Sequence, residues 1–423
     1  MEKTERNTRL TWLLLLFISL IYFFANLQKL LVPGATFNEL QQAFNADAAE
    51  VTRLASVFMY SYAFMQLVTG LLADRYSGIR IIAAGGLVLC IGSIMSSFDT
   101  SMPLLLFSRL LTGLGAATIY LSAVKEIARL LPDNLPIFSG ILTIIGYSGG
   151  IVGTTPFIIG MNRYGYHTMM LWTGIVTAVF YVIYLAIAAA SPKPAVNRTV
   201  TFSLNVYKSL LAVPYNRRQM MVSAMGFGMY FAIQTVIGKK FLEDYCHIES
   251  IRAGYVLTAM MLIAAVNGFI VALLSKCIGQ RRRPFFLYSG FGNLIASAVL
   301  FLLVLFDGHS PWIAVPAMLF QTSACNISAM TVAGFREKNP ENRFGTMMSI
   351  SNFFSYFVTA VFGGCMGMLL DIYAPTMVDG IRVYGRNSYL MVFSVLIVLG
   401  ALAAFNAWRL EESHQPDTSR SKR

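Results

Sequence analysis

Two cations stand inside long apolar runs of this sequence: Lys29 in the stretch 11–31 and Arg109 in 103–124. An ionised side chain deep in apolar surroundings costs roughly 2.5–3.5 kcal/mol on insertion scales, so each asks for a function or a partner. At helical spacing Lys29 shares a stripe with Ser19, Tyr22 and Asn26, and Arg109 shares a face with Gly113, Ala116 and Tyr120. The chemistry such groups offer is attraction of an anion. At ~4 Å and an effective dielectric of ~20 one ion pair is worth about 4 kcal/mol, and an organic cation is repelled by as much. No Asp or Glu falls near the middle of any apolar run; Glu39, Glu126, Asp133 and Asp371 map to loops or run ends. The expected ligand is therefore anionic.

Each cation has a plainer reading. Arg109, about two turns into its run and so ~10 Å deep, could instead tie down carbonyls of neighbouring helices. Lys29, one turn before Pro33, could snorkel to an interface. Lys239 and Lys240, just past the run 218–238, are expected to snorkel, and Glu126 is expected to make a surface ion pair with its neighbour Lys125. The neutral groups expected to complete a binding site are Tyr22, Asn26, Tyr120, Tyr147, Tyr230, Gln234, Gln321, Asn352 and Tyr356, with Asn267 a further polar residue inside a run. Interhelical hydrogen bonds in membranes average only ~0.6 kcal/mol, so some of these are expected to serve as packing glue.

The elements that must hold these residues follow from composition. The 423 residues are 56% hydrophobic and 12% charged, against about 25% charged in an ordinary soluble chain. The charges cluster, and the stretches between them run for ~20 apolar residues, enough to span ~30 Å of hydrocarbon as helix. The period-2 alternation of barrel strands is absent. Candidate spans are 11–31, 51–72, 79–98, 103–124, 137–160 and 167–190, then 218–238, 253–275, 285–306, 311–334, 344–370 and 387–409. This predicts an all-α membrane protein of twelve transmembrane helices. Its parts are a six-helix bundle over 1–190, a basic linker over 191–217, a second bundle over 218–409 and a tail over 410–423.

The formal charge of +12 could suggest nucleic acid, but Lys and Arg crowd the loops of one side, as the positive-inside rule requires. Both termini are then expected to be cytoplasmic, and Asn197-Arg198-Thr199, a glycosylation acceptor in form, falls on the inner side. The first apolar stretch is too long for a cleavable signal. The five cysteines are scattered, without metal or disulfide spacing. No catalytic carboxylate pair, nucleophile–base set or nucleotide loop is present. The expectation is no enzyme, no cofactor and no metal.

The loop after the second span reads Gly70-Leu71-Leu72-Ala73-Asp74-Arg75-Tyr76-Ser77-Gly78-Ile79-Arg80. It resembles the G-x-L-A-D-R-x-G-x-R signature of the major facilitator superfamily, with one residue inserted before Gly78. In the fourth span Arg109-Leu110-Leu111-Thr112-Gly113-Leu114-Gly115 is similar to that family's R-x-x-x-G-x-G motif. In the second half Lys276-Cys277-Ile278-Gly279-Gln280-Arg281 matches in its Gly and Arg but carries Lys276 at the acid position. A faint repeat pairs Tyr22 and Asn26 with Tyr230 and Gln234, six spans apart. The resemblance implies two pseudo-symmetric bundles and a conformational latch at Gly70, Asp74, Arg75, Gly78, Arg80, Gly279 and Arg281. Within the superfamily the sequence looks most like the organic-anion branches, the anion:cation symporters and organophosphate antiporters. Ala25, however, stands where the latter carry an arginine.

The expected function is a secondary active transporter, a symporter or exchanger, moving a small organic anion such as a carboxylate by alternating access. It is expected to act as a monomer in a cell membrane, a bacterial inner membrane in the first instance. A proton-coupled drug or metabolite exporter and a non-transporting receptor of the same fold are the alternatives. The partners implied are the anion, a coupling proton or counter-anion, and the bilayer.

Overall fold

A computed structural model describes residues 2–98, 101–131, 134–191, 204–378 and 381–413. The first half comprises α1 (Glu2–Leu30), a short α2 (Phe37–Phe44), α3 (Ala48–Arg75), α4 (Gly78–Met95), α5 (Met102–Ala117) with α6 (Ile119–Leu130), α7 (Leu135–Val152) with α8 (Thr155–Tyr164), and α9 (Tyr166–Ala190). Helix α10 (Leu204–Ala212) follows. The second half comprises α11 (Pro214–Phe231) with α12 (Gly238–Asp244), α13 (Ser250–Cys277), α14 (Arg283–Leu305), α15 (Pro311–Cys325) with α16 (Ser328–Lys338), α17 (Glu341–Leu370) and α18 (Arg386–Trp408). Strands β1 (Thr376–Val378) and β2 (Ile381–Val383) form an antiparallel hairpin before α18.

Among the described residues, 11 helical segments are long and apolar enough to cross a membrane. Helix α3, 28 residues long and more polar, is a twelfth long helix and lies along α17. Local chemistry sets the helix ends. Asp47 opens α3 with a reciprocal capping box to Glu50, and Ser77 caps α4. Proline stands in the first turn of α5, α7, α8, α11, α14 and α15, where its missing N–H costs nothing.

Within the first half α1 packs on α7 and α9, and α4 on α5 and α9; within the second α14 packs on α15 and α18, and α11 on α14 and α18. The halves meet chiefly where α3 runs along α17 and where α13 meets α7 and α8. Among the described residues α3 and the 11 apolar segments make an even number of long helices; the side at which α1 begins and α18 ends is here called the termini face, and the opposite side the far face.

The first long helix of each half is interrupted by a π-type segment, Leu31–Ala35 and Ala232–Ile237. The fourth of each half also breaks, after Ala117 and after Cys325. The two π segments touch: a Cβ on Gly34 would lie 2.6 Å from the Thr235 carbonyl oxygen. The faint sequence repeat is thus matched by a repeat of helix breaks.

Three expectations change. The seventh span extends to Asp244, beyond the expected limit of 238. The linker is partly helical, as α10 and the start of α11; residues 192–203, with Lys193 and the Asn197-Arg198-Thr199 acceptor, lie outside the described residues, as does Asp133. The far-face hairpin has only three residues per strand, too few to show as periodicity.

Candidate functional site

A cavity of about 280 Å³ lies between the halves, lined by α1, α3, α6, α7, α11, α13, α16 and α17. Six tyrosines face it: Tyr22, Tyr62, Tyr120, Tyr147, Tyr230 and Tyr356. Asn26, Lys29, Gln66, Thr143, Phe227, Phe231, Ser328 and Asn352 complete the main polar and aromatic lining. A second chamber of about 190 Å³ shares Tyr147, Phe227, Ser328, Asn352 and Tyr356 and continues toward the termini face past Ser223, Thr331 and Met348. Among the described residues no carboxylate lines either chamber.

Lys29 is half-buried and its ammonium faces three rings. Nζ lies 4.9 Å from the Tyr356 centroid and 5.5 Å from those of Tyr62 and Phe227. The rings support one another, Tyr62 and Tyr356 being 4.5 Å apart and Phe227 and Tyr356 5.3 Å. Tyr62 belongs to the first half, Phe227 and Tyr356 to the second, so the cage is assembled from both. A desolvated cation–π contact is worth ~2 kcal/mol or more. Three of them offset the cost of holding a bare ammonium in apolar surroundings, while a carboxylate at ~4 Å offers about 4 kcal/mol by itself. The cage therefore holds the ammonium in place without neutralising its charge, so an entering anion still gains the ion pair.

Arg109 sits elsewhere. It is 1% exposed, does not line the cavity, and donates from NH1 to the Gln28 carbonyl at 2.8 Å and from NH2 to the Val32 carbonyl at 3.2 Å. Its guanidinium carbon is 4.5 Å from the Phe58 centroid. The cause is in α1. Val32 leaves helical geometry inside the π-type segment, and the Arg109 fork bridges a carbonyl before that break to one within it, so the geometry matches the tie to carbonyls rather than direct contact with an anion. Asn267 does the same in the second half, donating to the Ser323 and Asn326 carbonyls at 2.7 and 2.8 Å where α15 breaks.

Of the other expected site residues, Tyr22, Asn26, Tyr120, Tyr147, Tyr230, Asn352 and Tyr356 reach the cavity. Gln234 and Gln321 do not: Gln234 is buried in the second π segment, where it accepts from Thr235, and Gln321 is buried in α15. The residues not foreseen are Tyr62, Gln66, Thr143, Phe227, Phe231 and Ser328. Tyr62 and Gln66, four apart on one helical face, were the available signal.

The glycines of the two motifs are sites of close approach. A Cβ on Gly113 would sit 2.5 Å from the Phe58 carbonyl oxygen, and one on Gly115 2.6 Å from that of Gly85. Gly78 lets the Glu126 carboxylate reach the start of α4; its own Cβ would meet the Glu126 Oε1 at 2.8 Å. Glu126 is 1% exposed, accepts from the Ile79 N–H at 3.1 Å and from Arg129 Nε at 2.7 Å, and so is no surface ion pair with Lys125. Lys125 instead donates to the Tyr76 carbonyl. Gly70 approaches Ser349 of α17, and Arg75 and Arg80 are exposed; the side chain of Asp74 lies outside the described residues. In the second half Gly279 makes its turn at φ +72°, and Arg281, beside it, is exposed. The acid that Lys276 fails to supply comes from elsewhere: Arg282 pairs with Glu337 at 2.9 Å, and the N–H groups of Arg282 and Arg283 donate to Glu412.

The far face is closed by bonds between the halves. Asn38 Nδ2 donates to Glu243 at 2.8 Å, Lys240 Nζ to Asn38 at 2.7 Å and Gln41 to the Tyr384 hydroxyl at 3.1 Å. The N–H groups of Ala48 and Ala49 donate to the Asp371 carboxylate at 3.2 and 2.6 Å, and Arg382 donates to Asn45. Lys239 and Lys240 do not snorkel. They are 2% and 0% exposed and pair one turn on with Glu243 and Asp244, at 3.1 and 3.0 Å. Those acids lie just past the apolar run, which is why the lysines looked unpaired.

Residues 12–364 match the model of the Major Facilitator Superfamily, and the chain belongs to that superfamily of membrane transporters. It is 23% identical to YcxA of Bacillus subtilis, a transporter of the same type, over 94% of each chain. It is 28% identical to human monocarboxylate transporter 2 over 33% of this chain and 28% of that one. To the 4-hydroxybenzoate transporter PcaK of Pseudomonas aeruginosa it is 26% identical, over 41% and 39%. The chain thus spans well under half the length of these last two relatives. Among solved structures, a bacterial homologue of the human lysosomal transporter Spinster superposes with TM-score 0.74 at 16% identity, covering 94% of this chain and 96% of that one. The shared architecture is that of a multi-pass membrane transporter.

Proposed function

We propose that the chain is a secondary carrier for a small organic anion carrying a carboxylate, with Lys29 as the anion-binding group. The observation that carries this reading is the ammonium of Lys29 in a cavity whose lining, among the described residues, holds no other cation and no acid. An organic cation would meet an uncompensated like charge there; an anion meets one cation and six tyrosine rings able to offer hydroxyls or stacking faces. The names of the partial relatives, transporters of monocarboxylates and of 4-hydroxybenzoate, agree with this sign of charge. The rocking units are residues 1–190 and 218–409, the far face is the outer side, and both termini are cytoplasmic, in line with the basic loops on the termini face. Arg109 is a positioning residue that fixes the bend of α1.

The test is tracer flux into proteoliposomes with a panel of aliphatic and aromatic carboxylates, sugar phosphates and lipophilic cations. Carboxylate uptake is expected, and Lys29→Met should weaken it at least a hundredfold, as the loss of about 4 kcal/mol implies. Undiminished uptake by Lys29→Met, or transport of the cations alone, would overturn the assignment.

A further inference from the structure

The far-face seal contains more acid than its bonding uses. Lys239 lies 3.1 Å from Glu243 as an ion pair, although neither Lys239 Nζ nor Glu243 Oε1 makes a hydrogen bond among the described residues, and Lys240 pairs with Asp244 within α12. The remaining oxygens of those acids are also engaged, Glu243 by Asn38 and Asp244 by the Tyr384 N–H and the Tyr389 hydroxyl. Asp371 is occupied by Ala48, Ala49 and Tyr384, and Arg382 by Asn45. One further carboxylate enters this cluster from the first half: Glu39, on α2. Its side chain is half-buried, and its Oε2 is sealed from solvent with no hydrogen-bond partner among the described residues.

We propose that Glu39 is a proton-binding site that exists only while the far face is closed, so that sealing this face takes up one proton and opening it releases that proton. The geometry asks for this. Two ammoniums facing three carboxylates leave one negative charge in excess, and a sealed oxygen without a donor is tolerated far better when the group is neutral. Burial holds the Glu39 carboxyl above its ordinary value of 4.5, with Glu243 adding to the rise, while Lys239 and Lys240 oppose it. When the halves part, α2 leaves α12 and the hairpin, and Glu39 returns to water. The closed form then binds more protons than the open one. Closure is fully favoured below pH 4.5, where Glu39 is protonated in both forms, and weakens as pH rises through the higher value of the closed form. Across that window one proton changes the closed-to-open ratio by up to about tenfold per pH unit. The proposal concerns the seal alone and does not depend on what the cavity binds.

The experiment uses the full-length carrier in nanodiscs, with spin labels at the exposed far-face positions Gln42 and Met377 in a cysteine-free background and no transport ligand added. The inter-label distance distribution is recorded between pH 4 and pH 9. The closed population is expected to fall with rising pH in the parent and to stay high and flat in Glu39→Gln, which is neutral throughout. Glu39→Ala serves as a second variant should the first fold poorly, and should also be flat. A parent without pH response, or a Glu39→Gln profile that follows the parent's and so puts the proton on another group of the seal, would overturn the proposal.

Discussion

The Arg109 guanidinium donates to the main-chain carbonyl of Gln28, the residue directly before Lys29. The cation buried away from the cavity thus holds the segment that aims the cation inside it. Arg109→Ala would leave the Gln28 and Val32 carbonyls without their donors in a dry interior, at about 1–3 kcal/mol each. Thermal midpoint and uptake should fall together, and Arg109→Lys, which keeps the charge but loses the fork, should recover only part of either. A normal midpoint with lost anion binding would put Arg109 on the substrate after all.

The aromatic cage makes a separate prediction. Tyr356 carries the nearest ring to Lys29 and packs against both other members, tilted on Tyr62 and edge-on to Phe227. Tyr356→Phe keeps the face and should leave anion affinity within about threefold. Tyr356→Ala removes a contact of ~1–2 kcal/mol and should lower affinity by about tenfold. Titration of the purified protein by thermal shift compares the two.

Lys240 and Asp244 form a fully buried pair. Removing one partner strands a charge, so Asp244→Ala should cost about 3–5 kcal/mol, whereas Lys240→Met with Asp244→Leu should recover most of that loss. Thermal denaturation of both single variants and the double variant closes the cycle. A double variant destabilised by the sum of the two single losses would show that the pair is not coupled.

Glu126 lies at the positive end of α4, where an anion is worth up to ~2 kcal/mol. Glu126→Gln should therefore lower stability by about 1–2 kcal/mol, and Gly78→Ala, which pushes into the same carboxylate, should lower it at least as far. Thermal midpoints report both. A neutral Gly78→Ala would mean the loop yields more easily than its contacts imply.

Much of this was legible in the sequence. Apolar runs of ~20 residues and their charged breaks gave the long helices, and Tyr22, Asn26 and Lys29 were found on one stripe because helical spacing is local. The partners were not legible. Nothing near Arg109 in sequence says that it serves carbonyls at the bend of α1, some 77 residues from Val32. The same holds for Tyr62 and Phe227, whose role arises only where two halves meet. Local pattern reports which face a residue occupies; what faces it is decided by the crossing of helices.

At the crossings of α5 with α4 and with α3 those partners are backbone atoms. Gly115 sits against the Gly85 carbonyl and the Leu89 N–H, and Gly113 against the Phe58 carbonyl. A backbone looks alike whatever sequence it carries, so such a contact places one demand on evolution, that the residue be small. Side chains elsewhere on the same helices are then free to drift, and chains with few identities left can retain one architecture while their cavities diverge toward different cargo.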